Sequence, residues 1–173
     1  MNKEDNFREL LKNEEFITEN TIEFKEYAVE IISIGEPKTY ARPRFTSRGF
    51  KHCYNKREIY MNNLRKEFNN FLTKEQHEMI EKIIKSKTYY VEVDGEFYIK
   101  IPKNESVKNR ALKELKIVRP IVARGDTDNY IKLVLDVLHE VVYDDDKHVV
   151  DIKASKYYSI KPRIELKIKF KYI

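Results

Sequence analysis

Between Asp128 and Val142 the chain sets Ile131, Leu135, Leu138 and Val142 at helical spacing, with Val134 and Val141 beside them. Apolar positions three and four apart fall on one stripe of an α-helix. A stripe this broad must be buried, so the pattern predicts a helix over 128–142 packed against a core. The flanks of that helix are unlike the rest of the chain. Asp126 and Asp128 stand at its start, and Asp144-Asp145-Asp146 follow its end. From Asp126 to Asp151 there are eight acids and two lysines, in a chain whose formal charge is +5. Carboxylates crowded together repel, and a bound cation is one remedy.

The remaining segments say what the helix packs on. Residues 24–34, 149–159 and 163–172 alternate and are rich in β-branched and aromatic residues, which predicts strands. Tyr89 to Ile101 reads as a strand pair or a strand bulged around Asp94-Gly95. Residues 56–85 read as helical, with Thr73 and Gln76 spaced for a capping box that would split them into two helices. Ser106 to Leu115 predicts a short helix, and residues 2–20 predict an amphipathic one. Gly35 to Tyr54, with Pro37, Pro43 and Gly49, reads as a loop or irregular hairpin. Helices on a mixed β-sheet make an α+β fold in a single domain. The expected division is a helical extension over 1–23 and one domain over 24–173.

Composition removes several classes. A single cysteine, Cys53, excludes an internal disulfide and a cysteine-cluster zinc site, and fits a reducing compartment. No apolar run reaches the roughly 18 residues of a membrane span. The acidic N-terminus lacks the apolar core of a signal peptide, so the expectation is a soluble, cytoplasmic protein without membrane contact. Basic residues are clustered. Lys38, Arg42, Arg44, Arg48, Lys51, Lys56 and Arg57 fall in a stretch of 20 residues that holds no acid. Tyr40, Phe45, Phe50 and Tyr54 are interleaved with them. Arginines grip phosphates and aromatic rings stack on or wedge against unpaired bases, so this tract and Arg124 are candidate DNA contacts, with Phe45 as a candidate wedge.

The acidic flanks suggest the chemistry. Asp126 and Asp128 bracket a helix start, and Lys132 lies one turn beyond Asp128 on the same face. Asp136 continues that face and fits equally a partner for Lys132 or a ligand. If a strand leaving the Asp144–Asp146 turn packs beside the helix, the second carboxylate group can approach the first. Three or four carboxylate oxygens plus waters suit Mg²⁺. Such an ion favours phosphodiester hydrolysis, by stabilising charge on phosphoryl oxygens and helping to ionise a water. Lys132 could hold that water or neutralise the transition state.

The run Asp126-x-Asp128-Asn129-x-x-Lys132, a following apolar helix, and Tyr143-x-Asp145-Asp146-x-x-Val149-Val150-Asp151 resemble RusA-type Holliday junction resolvases. Pro37-Lys38 with Arg42-Pro43-Arg44-Phe45, and Ile101-Pro102-Lys103 before a basic helix, resemble the same family, so the likeness runs from about Glu30 to Lys171. It implies an endodeoxyribonuclease that cuts four-way DNA junctions by paired symmetric nicks, as a homodimer, with Mg²⁺ or Mn²⁺. It implies Asp126, Asp128 and Asp146 as catalytic acids and metal ligands, Asp145 as a further ligand, and Lys132 as the catalytic lysine. Asp144 is an extra acid in this chain.

Plainer readings stand beside this one. Asp126 and Asp128 could be helix caps, with Asp128–Lys132 a surface ion pair worth under about 1 kcal/mol. Asp144–Asp146 could be a solvated turn, though it lacks the glycine and glutamate of an EF-hand loop. Asp151 reads as a partner for a neighbouring lysine, and His139 and His148 as dispensable to a site already rich in oxygen donors. The rival functions are a branched-DNA-binding protein that does not cleave, and a metal-dependent phosphatase acting on a small substrate.

Overall fold

In the computed structural model, residues 3–39, 51–121 and 125–173 are described, the side chains of residues 3 and 51–56 excepted. Four strands form the centre: β1 (Lys25–Ile34), β2 (Tyr89–Lys100), β3 (Val149–Ser159) and β4 (Arg163–Tyr172). Their spatial order is β1-β4-β2-β3. The pairs β1·β4 and β2·β4 are antiparallel, and β2·β3 is parallel, so the sheet is mixed. Because β3 and β4 flank β2, the short 160–162 connection passes the end of β2, where the Ile101 N–H reaches the Ser159 carbonyl at 3.2 Å.

Period-2 alternation sends one row of each strand into the core: Val29 and Ile31, Val91, Val93 and Phe97, and Ile164, Leu166, Ile168 and Phe170. Helices cover that face. Helix α3 (Lys51–Phe71) contributes Met61, Leu64 and Phe68 at helical spacing, and α4 (Lys74–Ser86) contributes Ile80 and Ile83. The break between them is the expected capping box: Thr73 Oγ1 accepts from Gln76 N and Gln76 Oε1 accepts from Thr73 N. Helix α6 (Thr127–Leu138) buries Ile131, Leu133, Val134, Val137 and Leu138.

It lies close on β2. A Cβ at Gly95 would meet Ile131 Cδ1 at 3.1 Å and the Phe97 ring at 3.3 Å, so the glycine leaves room for the helix. That replaces the turn or bulge expected at Asp94-Gly95. Strand β2 is unbroken there, and its register shifts at Val91/Glu92 instead.

The opposite face of the sheet is open and charged in rows. Lys171 pairs with Glu26, Lys167 with Glu30, Lys169 with Glu92 and Lys153 with Asp94. Cross-strand pairs of opposite sign favour this strand order, each by a few tenths of a kcal/mol.

Further differences from the sequence pattern are local. Helix α3 begins at Lys51, inside the stretch expected as a loop up to Tyr54. The N-terminal stretch forms two helices, α1 (Lys3–Leu10) and α2 (Glu14–Asn20), because Asn13 accepts from the Phe16 N–H and starts a new helix. No residue of α2 is buried. Helix α6 stops at Leu138 rather than Val142: the Val141 and Val142 N–H groups both turn back to the Leu138 carbonyl, and the Tyr143 hydroxyl donates to the Leu135 carbonyl at 2.8 Å. Helix α5 (Val107–Glu114) begins as expected, with Ser106 accepting from Asn109 N.

Candidate active site

Helix α6 organises the site. Asp126 is its N-cap residue, in extended conformation, yet its side chain makes no capping hydrogen bond. Asp128 sits in the first turn and is exposed, as is Lys132 one turn on. Carboxylates at this end face the positive pole of the helix, which offsets part of their mutual repulsion.

The chain enters α6 through Gly125, at φ +88°, where a Cβ would collide with the Thr39 side chain. The glycine therefore serves a close approach between the α6 entry and the Pro37–Thr39 segment. From the sheet side, Lys156 Nζ donates to the Gly125 carbonyl at 3.1 Å.

These contacts tie the basic tract to the acids. Thr39, where the tract begins, touches the start of α6. At its end, Arg57 on α3 donates to Asp136 on α6 at 3.3 Å. Arg65 holds the same helix through the Asp136 carbonyl and Glu140, each at 3.3 Å. Arg57, expected as a DNA contact, thus also anchors α3 to α6, and Asp136 is committed to it. Arg42, Arg44, Phe45, Arg48 and Arg124 lie outside the described residues. Lys51 and Lys56 are on α3, with their side chains outside the description.

The second acidic group divides into used and unused members. Asp144 accepts the Tyr89 hydroxyl at 2.5 Å, and His148 Nδ1 lies 3.2 Å from it. The Tyr89 hydrogen bond holds the Asp144 carboxyl below the usual aspartate range, and burial pushes the Tyr89 phenol up. His148 stacks on the Tyr89 ring at 4.2 Å. Asp145 caps the 3₁₀ turn Asp146–His148 by accepting from Lys147 N and pairs with the Lys147 ammonium at 2.7 Å, which lowers its pKa. Asp146 is exposed, and its carboxylate has no hydrogen bond or ion pair among the described residues. The same is true of Asp126, Asp128 and Asp151. The last stands on the open sheet face beside Lys153, Lys167 and Lys169, not in the ion pair expected for it. Spacing did not reveal the Tyr89–Asp144–His148 cluster, which joins residues 55 positions apart.

Chemically, Asp126, Asp128 and Asp146 fit a hard divalent cation: exposed oxygen donors that no lysine or capping bond has claimed among the described residues. One chain does not bring all three together. Asp126 and Asp128 open α6, and the Asp144–Asp146 turn follows its far end, about 18 Å away along a helix of this length. Strand β3 does pack beside α6, but it starts at the far end. Among the described residues no three His, Cys, Asp or Glu side chains are close enough to share a metal ion.

Arg57 and Thr39, at the ends of a basic sequence tract, meet a helix whose first acids have no side-chain partner among the described residues, which suits a nuclease, and comparison with known proteins agrees. The family model for endodeoxyribonuclease RusA matches residues 35–169. The chain belongs to that family. It is also 41% identical over 81 residues to YqaN, an uncharacterised protein of Bacillus subtilis strain 168. That match covers 46% of this chain and 56% of YqaN. Among the described residues no helix is long and apolar enough to cross a membrane.

Proposed function

We propose that the protein is a divalent-metal-dependent endodeoxyribonuclease that resolves four-way DNA junctions by paired nicks, acting as a homodimer. The observation that carries this reading is the state of the carboxylates at α6. Asp126, Asp128 and Asp146 are exposed and unengaged among the described residues, whereas Asp136, Asp144 and Asp145 are all held by partners.

The separation of the three acids argues for two copies. In the order β1-β4-β2-β3, strand β3 is an edge. Its first half exposes Val150 and Ile152 (61% and 47%) on the face where α6 packs. An unprotected edge with apolar side chains invites a second strand. Antiparallel β3–β3 pairing about a two-fold axis would set the start of one β3, with Asp146, beside the end of the other. There, Lys156 holds the entry to α6 and hence Asp126 and Asp128. Two equivalent sites result, each built from both copies, and two sites suit two symmetric nicks.

In each site Asp126 and Asp128 of one copy and Asp146 of the other would hold Mg²⁺ or Mn²⁺, with Asp145 as a reserve ligand. The bound ion would supply charge stabilisation at the phosphoryl oxygens and a more acidic water. Lys132, on the exposed face of α6, offsets negative charge developing on the scissile phosphate. Arg42, Arg44, Arg48, Lys51, Lys56, Arg57 and Arg124 would grip the backbone, with Phe45 stacking at the branch point. The test is cleavage of a labelled synthetic four-way junction in Mg²⁺, beside a linear duplex of the same sequence and D126N. Paired nicks on the junction alone, absent in D126N, support the reading. Junction binding without cleavage in Mg²⁺ or Mn²⁺ would replace it with a non-cleaving binding protein.

A further inference from the structure

Most lysines on the sheet have an acid opposite them, so cations without one stand out. At the C-terminal end of β2 a surface hollow is lined by Lys100, Ile101, Lys103, Arg110 and Ile160, with no acid among them. Lys100, Lys103 and Arg110 make no ion pair among the described residues. The nearby carboxylates are already committed. Glu36 accepts from Lys100 N, Glu114 from Ser159 Oγ and Ile160 N, and Glu105 is bound to the buried Lys113.

A second group adjoins the hollow on the open face. The Tyr98 and Tyr157 rings stack at 5.5 Å, with Arg163 over Tyr98 at 3.6 Å and Arg119 over Tyr157 at 3.9 Å. Arg163 is also bound to Glu165, but Arg119 has no acidic partner among the described residues. A guanidinium laid flat on a ring is held in place while its N–H edge remains available to an anion. Lys116, which follows α5, sits at φ +61°, where glycine is the usual residue. Its ammonium donates to the Tyr98 hydroxyl at 2.9 Å and lies 4.2 Å from the Tyr157 ring, so a strained backbone carries a side chain that braces this stack.

We propose that Lys100, Lys103, Arg110 and Arg119 form a second DNA-backbone contact, which holds an arm of the branched substrate away from the cut. This rests on the nuclease reading above. Arg119 is seven residues from Asp126, at most about 25 Å of extended chain. That is less than the roughly 34 Å of one B-DNA turn, so one arm can touch both places. The ligand is the phosphodiester backbone: the cations are spread along a rim and offer no pocket shaped to a base.

The test uses the full chain and a triple variant, K103Q/R110Q/R119Q, made at exposed side chains away from the proposed cleavage site. A control triple, K153Q/K167Q/K169Q, removes the same charge from the paired lysines of the open face. Affinity for junctions with arms of about two helical turns, and of about half a turn, is measured over a range of salt. The expected result is a log–log salt slope shallower by about 3 for the first triple on long arms, about one unit for each phosphate no longer gripped. Short-arm binding and the cleavage rate at saturating protein should be unchanged, and the control triple should match the parent. An unchanged slope on long arms, or equal losses in both triples, would overturn the second contact and leave the nuclease reading standing. A parent protein whose junction affinity ignores salt would overturn the nuclease reading, and this inference with it.

Discussion

The two ends of α6 carry carboxylates in opposite circumstances. At the C-terminal end, Asp144 is bound by the Tyr89 hydroxyl and Asp145 by Lys147. Each is part of the turn's own structure. At the N-terminal end, Asp126 occupies a capping position without capping, and Asp128 stands exposed behind it. Asp146 belongs by position to the first group and by circumstance to the second. Free oxygens at one end of a helix and one free oxygen donor at the other make little sense in a single copy. Across the proposed two-fold axis they would make a ligand set. Acids engaged within the fold stabilise it; acids left open are the ones available for chemistry.

That contrast can be broken most forcefully at the open acids. D126N, D128N and D146N should each lower junction cleavage by about two to three orders of magnitude while leaving the melting temperature near that of the parent. D144N should do the reverse, lowering thermal stability with less than about a tenfold effect on rate. Equal effects on rate from both groups would remove the distinction.

The edge of β3 comes next. V150K/I152K places lysines on the apolar first half of β3, which antiparallel pairing would set opposite the Lys156 half of a second β3, and should leave monomers with native circular dichroism and cleavage reduced to background. Sedimentation of a dimer by this variant would contradict the proposed pairing. G125A acts between the two ends of the comparison, since its methyl group must displace Thr39 from a backbone already at φ +88°. It should cost about 1–3 kcal/mol of stability and weaken cleavage more than junction binding, read from melting and single-turnover kinetics.

The smallest effect lies at the engaged end. Y89F removes the hydrogen bond that lowers the Asp144 pKa. A carboxyl with a depressed folded-state pKa contributes stability above its unfolded value, near 3.9, which is lost as pH falls through the folded value. The parent should therefore exceed Y89F by about 1 kcal/mol at neutral pH, and the gap should narrow below about pH 4. A gap of constant size would mean that Asp144 contributes nothing to it.

Much of this layout was legible in the residues. Strands β3 and β4 alternate so cleanly that their predicted bounds are the observed ones, and Thr73 with Gln76 marked the break between α3 and α4. The acids chosen by motif include Asp126, Asp128 and Asp146, whose carboxylates have no partner among the described residues. What spacing could not supply was distance in space. Asp128 and Asp146 look close along the chain, but α6 runs 12 residues and the turn follows its far end, so in one copy they stay apart. Nor could local pattern reveal that Tyr89 would claim Asp144, or that Gly95 would admit Ile131, because both contacts join distant segments. The N-terminal residues read as one helix because apolar spacing carries through Leu11, while the Asn13 cap that divides them depends on backbone geometry.

The most direct measurement mixes two inactive proteins. D126N and the double variant D145N/D146N are assayed on a four-way junction in Mg²⁺, separately and after subunit exchange. If each site draws Asp126 and Asp128 from one copy and Asp146 from the other, a mixed dimer has one site with both defects and one with neither. Neither protein should cut alone, and the mixture should make single-strand nicks at about a quarter of the parent's sites, given random pairing. A mixture as inactive as its parts, with exchange verified, would contradict a site shared between two copies.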